Sequence, residues 1–246
     1  MRSPKQPSCR NRLGRCLGSI AAVPALGGCI DMPLSTLAPA SDVTRSVATL
    51  WWVMAGGTGA VLLLMITLAI LAVRRHPPRA PGRRGIMVLL VAGGLFLPAA
   101  TITALLAFSL RLEEAQWPAS TRSEASEAFV VDVVAHRWWW EFRYPQLNEQ
   151  ARTVNEIHVP AGVPIHLRLM STDVIHAFWV PRVAGKLDAV PGKVNRLRIK
   201  VDEPGEYAGV CAEFCGEGHA LMPFTLIAHE AGEMASVLAE IQEGRP

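Results

Sequence analysis

Two long apolar stretches constrain this chain more than any other feature of its sequence. Residues 47–73 and 85–110 contain no charged residue, and each exceeds the about 20 residues that a helix needs to cross the hydrocarbon core of a bilayer. Two buried helices of a soluble domain are the alternative, but neither stretch has a polar face. The sequence therefore predicts a transmembrane hairpin over residues 47–112.

The segment between the two stretches predicts the orientation of the hairpin. Residues 74–84 carry five arginines and no acidic residue, and loops rich in arginine and lysine stay on the cytoplasmic side of a membrane. Both ends of the hairpin are therefore expected to face outward. This orientation places the C-terminal part of the chain in the periplasm or another extracytoplasmic space.

The N-terminus has the pattern of an exported protein. In residues 1–28 a basic region precedes a short apolar run, which ends in Leu26-Gly27-Gly28-Cys29. This pattern is typical of a secretory signal peptide, and its last residues resemble the lipobox of bacterial lipoproteins. We predict acylation at Cys29; an ordinary cleavage site or an uncleaved leader are the alternatives. The predicted location is the bacterial inner (plasma) membrane, with residues 29–46 as an external linker.

The residues after the hairpin have the pattern of short β-strands. A polar connector over residues 113–128 leads into apolar–polar alternation, which is clearest at 164–170 and 196–201, with Pro/Gly turns between the strands. Several short strands of this kind indicate a Greek-key sandwich, here over residues 129–246. Residues 230–243 are predicted to form a helix at its end.

One stretch near the C-terminus gathers metal-binding side chains. Cys211, Cys215, His219 and Met222 lie within twelve residues, and thiolate and thioether are soft ligands that suit copper, as does imidazole. His176 is a candidate for a second imidazole. A structural zinc site and a disulfide between the two cysteines, which is common in exported domains, are the alternatives.

The spacing Val-x-His at 174–176, followed by Cys-x-x-x-Cys-x-x-x-His-x-x-Met at 211–222, resembles subunit II of the haem–copper cytochrome c oxidases. The resemblance implies a two-helix transmembrane hairpin followed by an all-β cupredoxin-like Greek-key sandwich with a short C-terminal helix. It also implies a binuclear copper centre, in which Cys211 and Cys215 bridge two copper ions. His176 and Met222 would complete one copper, and His219 and the backbone carbonyl of Glu213 the other.

Further roles follow from the same resemblance. The Glu213 side chain would bind magnesium or manganese at a subunit interface, with Asp188 nearby. Trp138 would receive the electron from cytochrome c. The expected partners are oxidase subunit I, other oxidase subunits and a separate cytochrome c, because no Cys-x-x-Cys-His haem motif occurs in the chain. No haem is expected on this chain, and the net charge of only +3 argues against nucleic acid as a partner.

The predicted function is that of the electron-accepting subunit of a proton-pumping oxidase, in which a partner subunit reduces oxygen to water. Two rivals change the function class. A quinol-oxidase second subunit would keep the fold without the copper ligands. A membrane-tethered copper chaperone or thiol reductant would use the cysteine pair for another purpose.

Overall fold

A computed structural model describes residues 32–74, 82–116, 129–148 and 150–244 of the chain. The predicted signal peptide, the acylation at Cys29 and most of the arginine loop lie outside the described residues. So does most of the predicted connector, residues 117–128.

The first apolar stretch forms one long helix, α1, over Asp42–Arg74. It begins five residues before the predicted span because Ser41 caps it: the Thr44 backbone N–H donates to the Ser41 hydroxyl at 3.1 Å. The polar residues of this first turn carry no hydrophobic signal, so the apolar pattern predicts the spanning stretch but not the residue at which the helix starts. The helix is long and apolar enough to cross a membrane.

The second stretch is helical from Arg83 to Gln116, in three consecutive parts. These are α2 (Arg83–Val88), a π-helical part (Leu89–Phe96) and α3 (Leu97–Gln116). Pro98, which donates no backbone hydrogen bond, lies two residues after the end of the π-helical part. Residues 83–111 also meet the length and hydropathy expected of a membrane span, so the two apolar helices of the predicted fold are confirmed.

Two five-stranded sheets form the predicted sandwich. Sheet 1 has the order β3-β2-β1-β5-β8, with strands β1 (Phe129–His136), β2 (Trp139–Arg143), β3 (Arg152–Val154), β5 (Pro164–Ser171) and β8 (Asn195–Lys200). Sheet 2 has the order β4-β10-β9-β6-β7, with strands β4 (Glu156–Pro160), β6 (His176–Trp179), β7 (Leu187–Ala189), β9 (Gly205–Cys211) and β10 (Phe224–His229). Helix α4 (Ala231–Gln242) follows, one residue inside each predicted end.

The core lies between the two sheets. Strand β5 shows the pattern that makes it: Ile165, Leu167 and Leu169 are buried, while the residues between them are partly exposed, as expected when alternate side chains point to opposite faces. Trp140, Phe178 and Phe224 add an aromatic cluster to this core. The predicted all-β sandwich with its short C-terminal helix is thus confirmed.

A short segment before the first helix joins that helix to the sandwich. The Ala40 N–H donates to the Arg182 carbonyl at 2.7 Å, and the Asp202 N–H donates to the Ala40 carbonyl at 3.0 Å. The Ser41 hydroxyl donates to the Val183 carbonyl at 2.6 Å. This part of the predicted external linker is therefore packed onto the domain instead of running free.

A buried histidine pair predicts how the stability of the domain depends on pH. His158 Nδ1 lies 2.9 Å from His229 Nε2, and burial together with the charge of His229 lowers the pKa of His158 below its ordinary value of 6.5. The unfolded chain then binds more protons than the folded chain just below pH 6.5. The free energy of unfolding should therefore fall as the pH drops below about 6.5, by at most about 1.4 kcal/mol per pH unit for one proton.

Thermal or denaturant unfolding between pH 5 and 8 tests this expectation. His158→Gln should flatten the pH dependence, whereas Ile227→Val, at the position paired with His158 across the two strands, should keep it. An unchanged slope in His158→Gln would show that another group titrates.

Candidate metal centre

The cysteine stretch forms a loop between two neighbouring strands of sheet 2. Cys211 is the last residue of β9, Cys215 lies in the loop, and β10 begins at Phe224, just after Met222. His176 is the first residue of β6, which pairs with β9 so that Phe178 lies opposite Cys211. The sheet therefore brings the distant histidine to the cysteine loop.

The three other predicted ligand side chains and one backbone oxygen lie around the two cysteine sulfurs. Cys211 Sγ is 4.0 Å from Cys215 Sγ, 3.9 Å from His176 Nδ1 and 3.3 Å from the Glu213 carbonyl oxygen. Cys215 Sγ is 3.7 Å from His219 Nδ1 and 3.4 Å from Met222 Sδ. The ligand atoms of His176, Cys211 and Cys215 all lie within 4.8 Å of one another.

These donors fit soft metal ions. His176, Cys211, Cys215 and Met222 are all at most 8% exposed, so the cluster is shielded from water. Two thiols, two imidazole nitrogens, a thioether and a carbonyl are a mixed soft set that suits copper better than a hard cation. Both cysteines are free thiols, which a metal needs and a disulfide would not leave available.

The pKa values of the two thiols are shifted in opposite directions. Burial raises the pKa of Cys211, but hydrogen bonds with His176 and with the backbone at Glu213 and Ala177 outweigh it and lower the pKa to about 6. Burial and the neighbouring Cys211 sulfur raise the pKa of Cys215 to about 11. Since metals bind the thiolate form, loading the site must release a proton from Cys215 at neutral pH.

Asp173 holds His176 in place, and sequence reasoning did not single it out. Its Oδ1 lies 2.8 Å from His176 Nε2, so the carboxylate accepts the Nε2 proton and leaves Nδ1 facing the sulfurs. Burial raises the pKa of Asp173, but bonds from His176 and from the backbone N–H groups of Val174 and Arg137 lower it to about 2. A carboxylate behind a histidine is the usual outer-shell support of a metal ligand.

Trp138 lies in the turn between β1 and β2, directly against the cysteine loop. Its indole ring occupies the place that a Cβ on Gly218 would need, and a Cβ on Gly216 would come within 3.3 Å of it. The side chain is nevertheless 38% exposed. The Trp138 ring thus extends from solvent to the backbone of the cysteine loop.

Trp140 supports the loop from inside, a role that the sequence pattern did not indicate. It is completely buried, and its indole N–H donates to the Met222 carbonyl at 3.1 Å. Its ring also packs edge-on against His176, with centroids 6.0 Å apart. One core side chain therefore contacts both segments that carry candidate ligands.

The two predicted magnesium or manganese ligands, Glu213 and Asp188, lie on different elements of the domain. The Glu213 carboxylate lies 3.7 Å from Lys186 Nζ, so an ammonium group is its cationic neighbour. Asp188 lies on β7, where it pairs with Ala177, and no side-chain contact joins it to Glu213 within the described part of the chain.

Apolar side chains next to the metal-binding residues cover the cysteine loop only in part. Phe178 is buried in the core, but Phe214 is 77% exposed and Pro223 is also exposed. Sequence alone could not show that Phe214, between two inward-facing cysteines, points to solvent.

Comparison with known proteins agrees with this geometry. Residues 148–229 match the family model described as "Cytochrome C oxidase subunit II, periplasmic domain". A cytochrome c oxidase subunit 2 of Alkalihalophilus pseudofirmus is 41% identical over 117 residues, which cover 46% of this chain and 34% of that protein. A quinol oxidase subunit 2 of Bacillus cereus is 29% identical over 228 residues, covering 90% of this chain and 77% of that protein.

One similar solved structure is the periplasmic domain of subunit II of cytochrome oxidase from Bradyrhizobium japonicum. It is 28% identical to this chain with a TM-score of 0.46, and the match covers 48% of this chain and 96% of the other. The family match and the two relatives confirm the resemblance to subunit II that the motif predicted. They leave both the cytochrome c and the quinol type of oxidase open.

Proposed function

We propose that this chain, a subunit II of a haem–copper oxidase by its resemblance, accepts electrons from cytochrome c at a centre of two copper ions. The observation that carries the proposal is the buried cluster of His176, Cys211, Cys215, His219 and Met222, with the Glu213 carbonyl beside it. We further propose that the electrons pass to a haem in the catalytic subunit, which reduces oxygen to water and pumps protons.

Cys211 and Cys215, with the other donors around them, would hold the two coppers, which would supply a centre able to accept one electron and pass it on. The residues of the chain keep the ligands rigid and dry. Cys211 and His176 are fixed by the pairing of β9 with β6, and the Trp140 indole holds the Met222 carbonyl. Asp173 fixes the ring of His176.

The complete donor set favours cytochrome c over quinol as the electron donor. A second subunit that serves quinol has no need for two thiols, two imidazoles and a thioether in one buried cluster. The same donor set argues against a copper chaperone, because a chaperone must release its metal and a full set of donors holds it. It also argues against a zinc site, which has no use for the Met222 thioether.

Trp138 is proposed to receive the electron from cytochrome c. Trp138→Leu should slow electron uptake from reduced cytochrome c severalfold or more, because it removes the ring that joins solvent to the ligand loop. The copper content should stay unchanged. Stopped-flow reduction measures the rate.

Trp139→Leu is the matched control for this change. That ring stacks on His136 with centroids 4.0 Å apart, and within the described part of the chain no ring contact joins it to the cysteine loop, so electron uptake should keep its rate. Equal slowing in both variants would remove the special role of Trp138.

The remaining assignments are proposals that rest on the same resemblance. The Glu213 carboxylate would bind magnesium or manganese once Lys186 turns away, with Asp188 nearby. The chain would sit in the bacterial inner membrane with subunit I and the other oxidase subunits, its copper domain outside and Cys29 acylated.

Electron paramagnetic resonance of the full chain, purified in detergent and supplied with copper, tests the central proposal. We expect a seven-line hyperfine pattern and two coppers per chain by metal analysis. A four-line spectrum with one copper would favour the chaperone. Bound zinc or a disulfide in place of copper would end the electron-transfer proposal.

A further inference from the structure

A cavity of about 240 Å³ lies where the first helix meets the sandwich. Its wall includes the apolar residues Val43, Val183 and Ile199 and the cationic residues Arg198 and Lys200. We propose that this cavity binds the headgroup of an anionic phospholipid from the outer leaflet. The proposal requires the two helices to cross the membrane but does not involve copper, so a failure of the copper assignment would leave it intact.

The position of the cavity supports a lipid ligand. Residues 41–43, at the start of α1, form part of its wall, and the helix beyond them exposes apolar side chains. The start of this helix is fixed to the domain, since the Thr44 hydroxyl donates to the Arg182 carbonyl at 2.8 Å. The second spanning helix contacts strand β8 as well. Strand β8 is therefore the edge of the sandwich next to both helix ends, where lipid headgroups lie.

The charge of this edge matches an anionic headgroup. Strand β8 buries Leu197 and Ile199, while Arg196, Arg198 and Lys200 alternate with them on the other face. Lys200 Nζ lies 3.6 Å from Asp202, and Asp202 is shared with Arg45 at 3.0 Å. Within the described part of the chain, neither Arg196 nor Arg198 has an acidic partner among the ion pairs.

The acidic wall residue does not cancel this charge. Asp42 also lines the cavity, but its carboxylate is paired with Arg45 at 2.6 Å. Arg198 and Lys200, of which only Lys200 has an acidic neighbour among the ion pairs of the described residues, are the wall cations that would meet a phosphodiester, for which guanidinium and ammonium groups are the usual partners. The apolar part of the wall suits the glycerol backbone, with the acyl chains running along α1. The cavity holds a headgroup and not a whole lipid.

Lipid titration of the full chain in detergent, followed by native mass spectrometry, tests the proposal. The probes are phosphatidylglycerol, phosphatidylcholine with the same acyl chains, and inorganic phosphate. We expect phosphatidylglycerol to bind at least fivefold more tightly than phosphatidylcholine, with one lipid retained per chain. Inorganic phosphate should not displace it.

Two site variants and one control complete the test. R198Q/K200Q removes the two wall cations, and V43F fills the cavity while keeping every charge; each should weaken phosphatidylglycerol binding at least fivefold. R137Q/K193Q removes two exposed charges from loops at the opposite end of the sandwich and should change binding less than twofold. Thermal unfolding checks that each variant is folded. If only one of the two site variants folds, its lipid affinity alone decides the test.

Three outcomes would overturn the proposal. Equal losses in the site variants and the control would mean that lipid responds only to net charge. Full binding by V43F would exclude the cavity. Displacement of the lipid by inorganic phosphate, or equal binding of phosphatidylcholine, would show that an anionic lipid headgroup is not the ligand.

Discussion

Cys215→Ser is expected to reduce the copper bound per chain from two ions to at most one and to abolish the seven-line paramagnetic spectrum. Cys215 Sγ lies close to Cys211 Sγ, His219 Nδ1 and Met222 Sδ, so it is the donor at the centre of the cluster. A serine hydroxyl is a hard, weakly acidic donor and cannot replace a bridging thiolate. Any remaining copper should give a four-line spectrum.

Metal analysis and paramagnetic resonance on the same sample measure this effect. Met234→Leu is the matched control, because it removes a sulfur atom of similar burial from helix α4, outside the metal cluster, and should leave two coppers per chain. Thermal unfolding of the metal-free protein separates loss of the ligand from loss of the fold. Two coppers and an unchanged spectrum in Cys215→Ser would rule out a bridging thiolate at this position.

The sequence predicted the architecture well because its signals are local and redundant. Charge-free stretches of the length of a membrane span have few alternatives, and the alternation in residues 164–170 leaves one face of β5 for the core. The start of α1, five residues before the predicted span, could not be predicted because its signal is a single capping hydroxyl at Ser41, which hydropathy does not record. Boundaries set by one hydrogen bond are not visible in an apolar pattern.

The candidate site likewise contains some residues that the sequence predicts and others that it does not. The four ligands between Cys211 and Met222 lie on one loop and can be predicted from their spacing, and His176 is a candidate for the second imidazole whose place beside them only the fold shows. The supporting residues could not be predicted, because their roles depend on distant contacts. Trp140 meets Met222 across 82 positions of sequence. Such a contact follows from the packing of sheet 1 against sheet 2, which no short motif specifies.

Asp173 is the supporting residue whose loss should be most costly to metal binding. It lies in a Ser-Thr-Asp turn, which by itself indicates only a change of chain direction. Asp173→Asn is expected to weaken copper binding by about 10- to 100-fold, the usual cost of losing an outer-shell partner. The amide is neutral, so it holds the Nε2 proton of His176 less strongly, and the ring then orients its Nδ1 less firmly toward the sulfurs.

The geometry around Asp173 sharpens this expectation. Its Oδ2 accepts the Arg137 N–H at 2.7 Å, and its Oδ1 accepts both the Val174 N–H at 2.6 Å and the His176 Nε2–H at 2.8 Å. All three partners are donors, so an asparagine must turn its NH₂ group toward at least one of them. The substitution therefore replaces an attractive contact with a donor–donor clash as well as removing the charge.

Competition with a copper chelator of known affinity measures the change. Asp132→Asn is the matched control: its carboxylate is bonded to Arg168 on the outer face of sheet 1, so copper affinity should stay within about twofold even if the domain is destabilised. Copper binding by Asp173→Asn as tight as that of the control would mean that the backbone of β6 alone orients His176. If copper affinity falls in Asp173→Asn but not in Asp132→Asn, a residue outside the ligand motif determines how firmly His176 is oriented toward the metal.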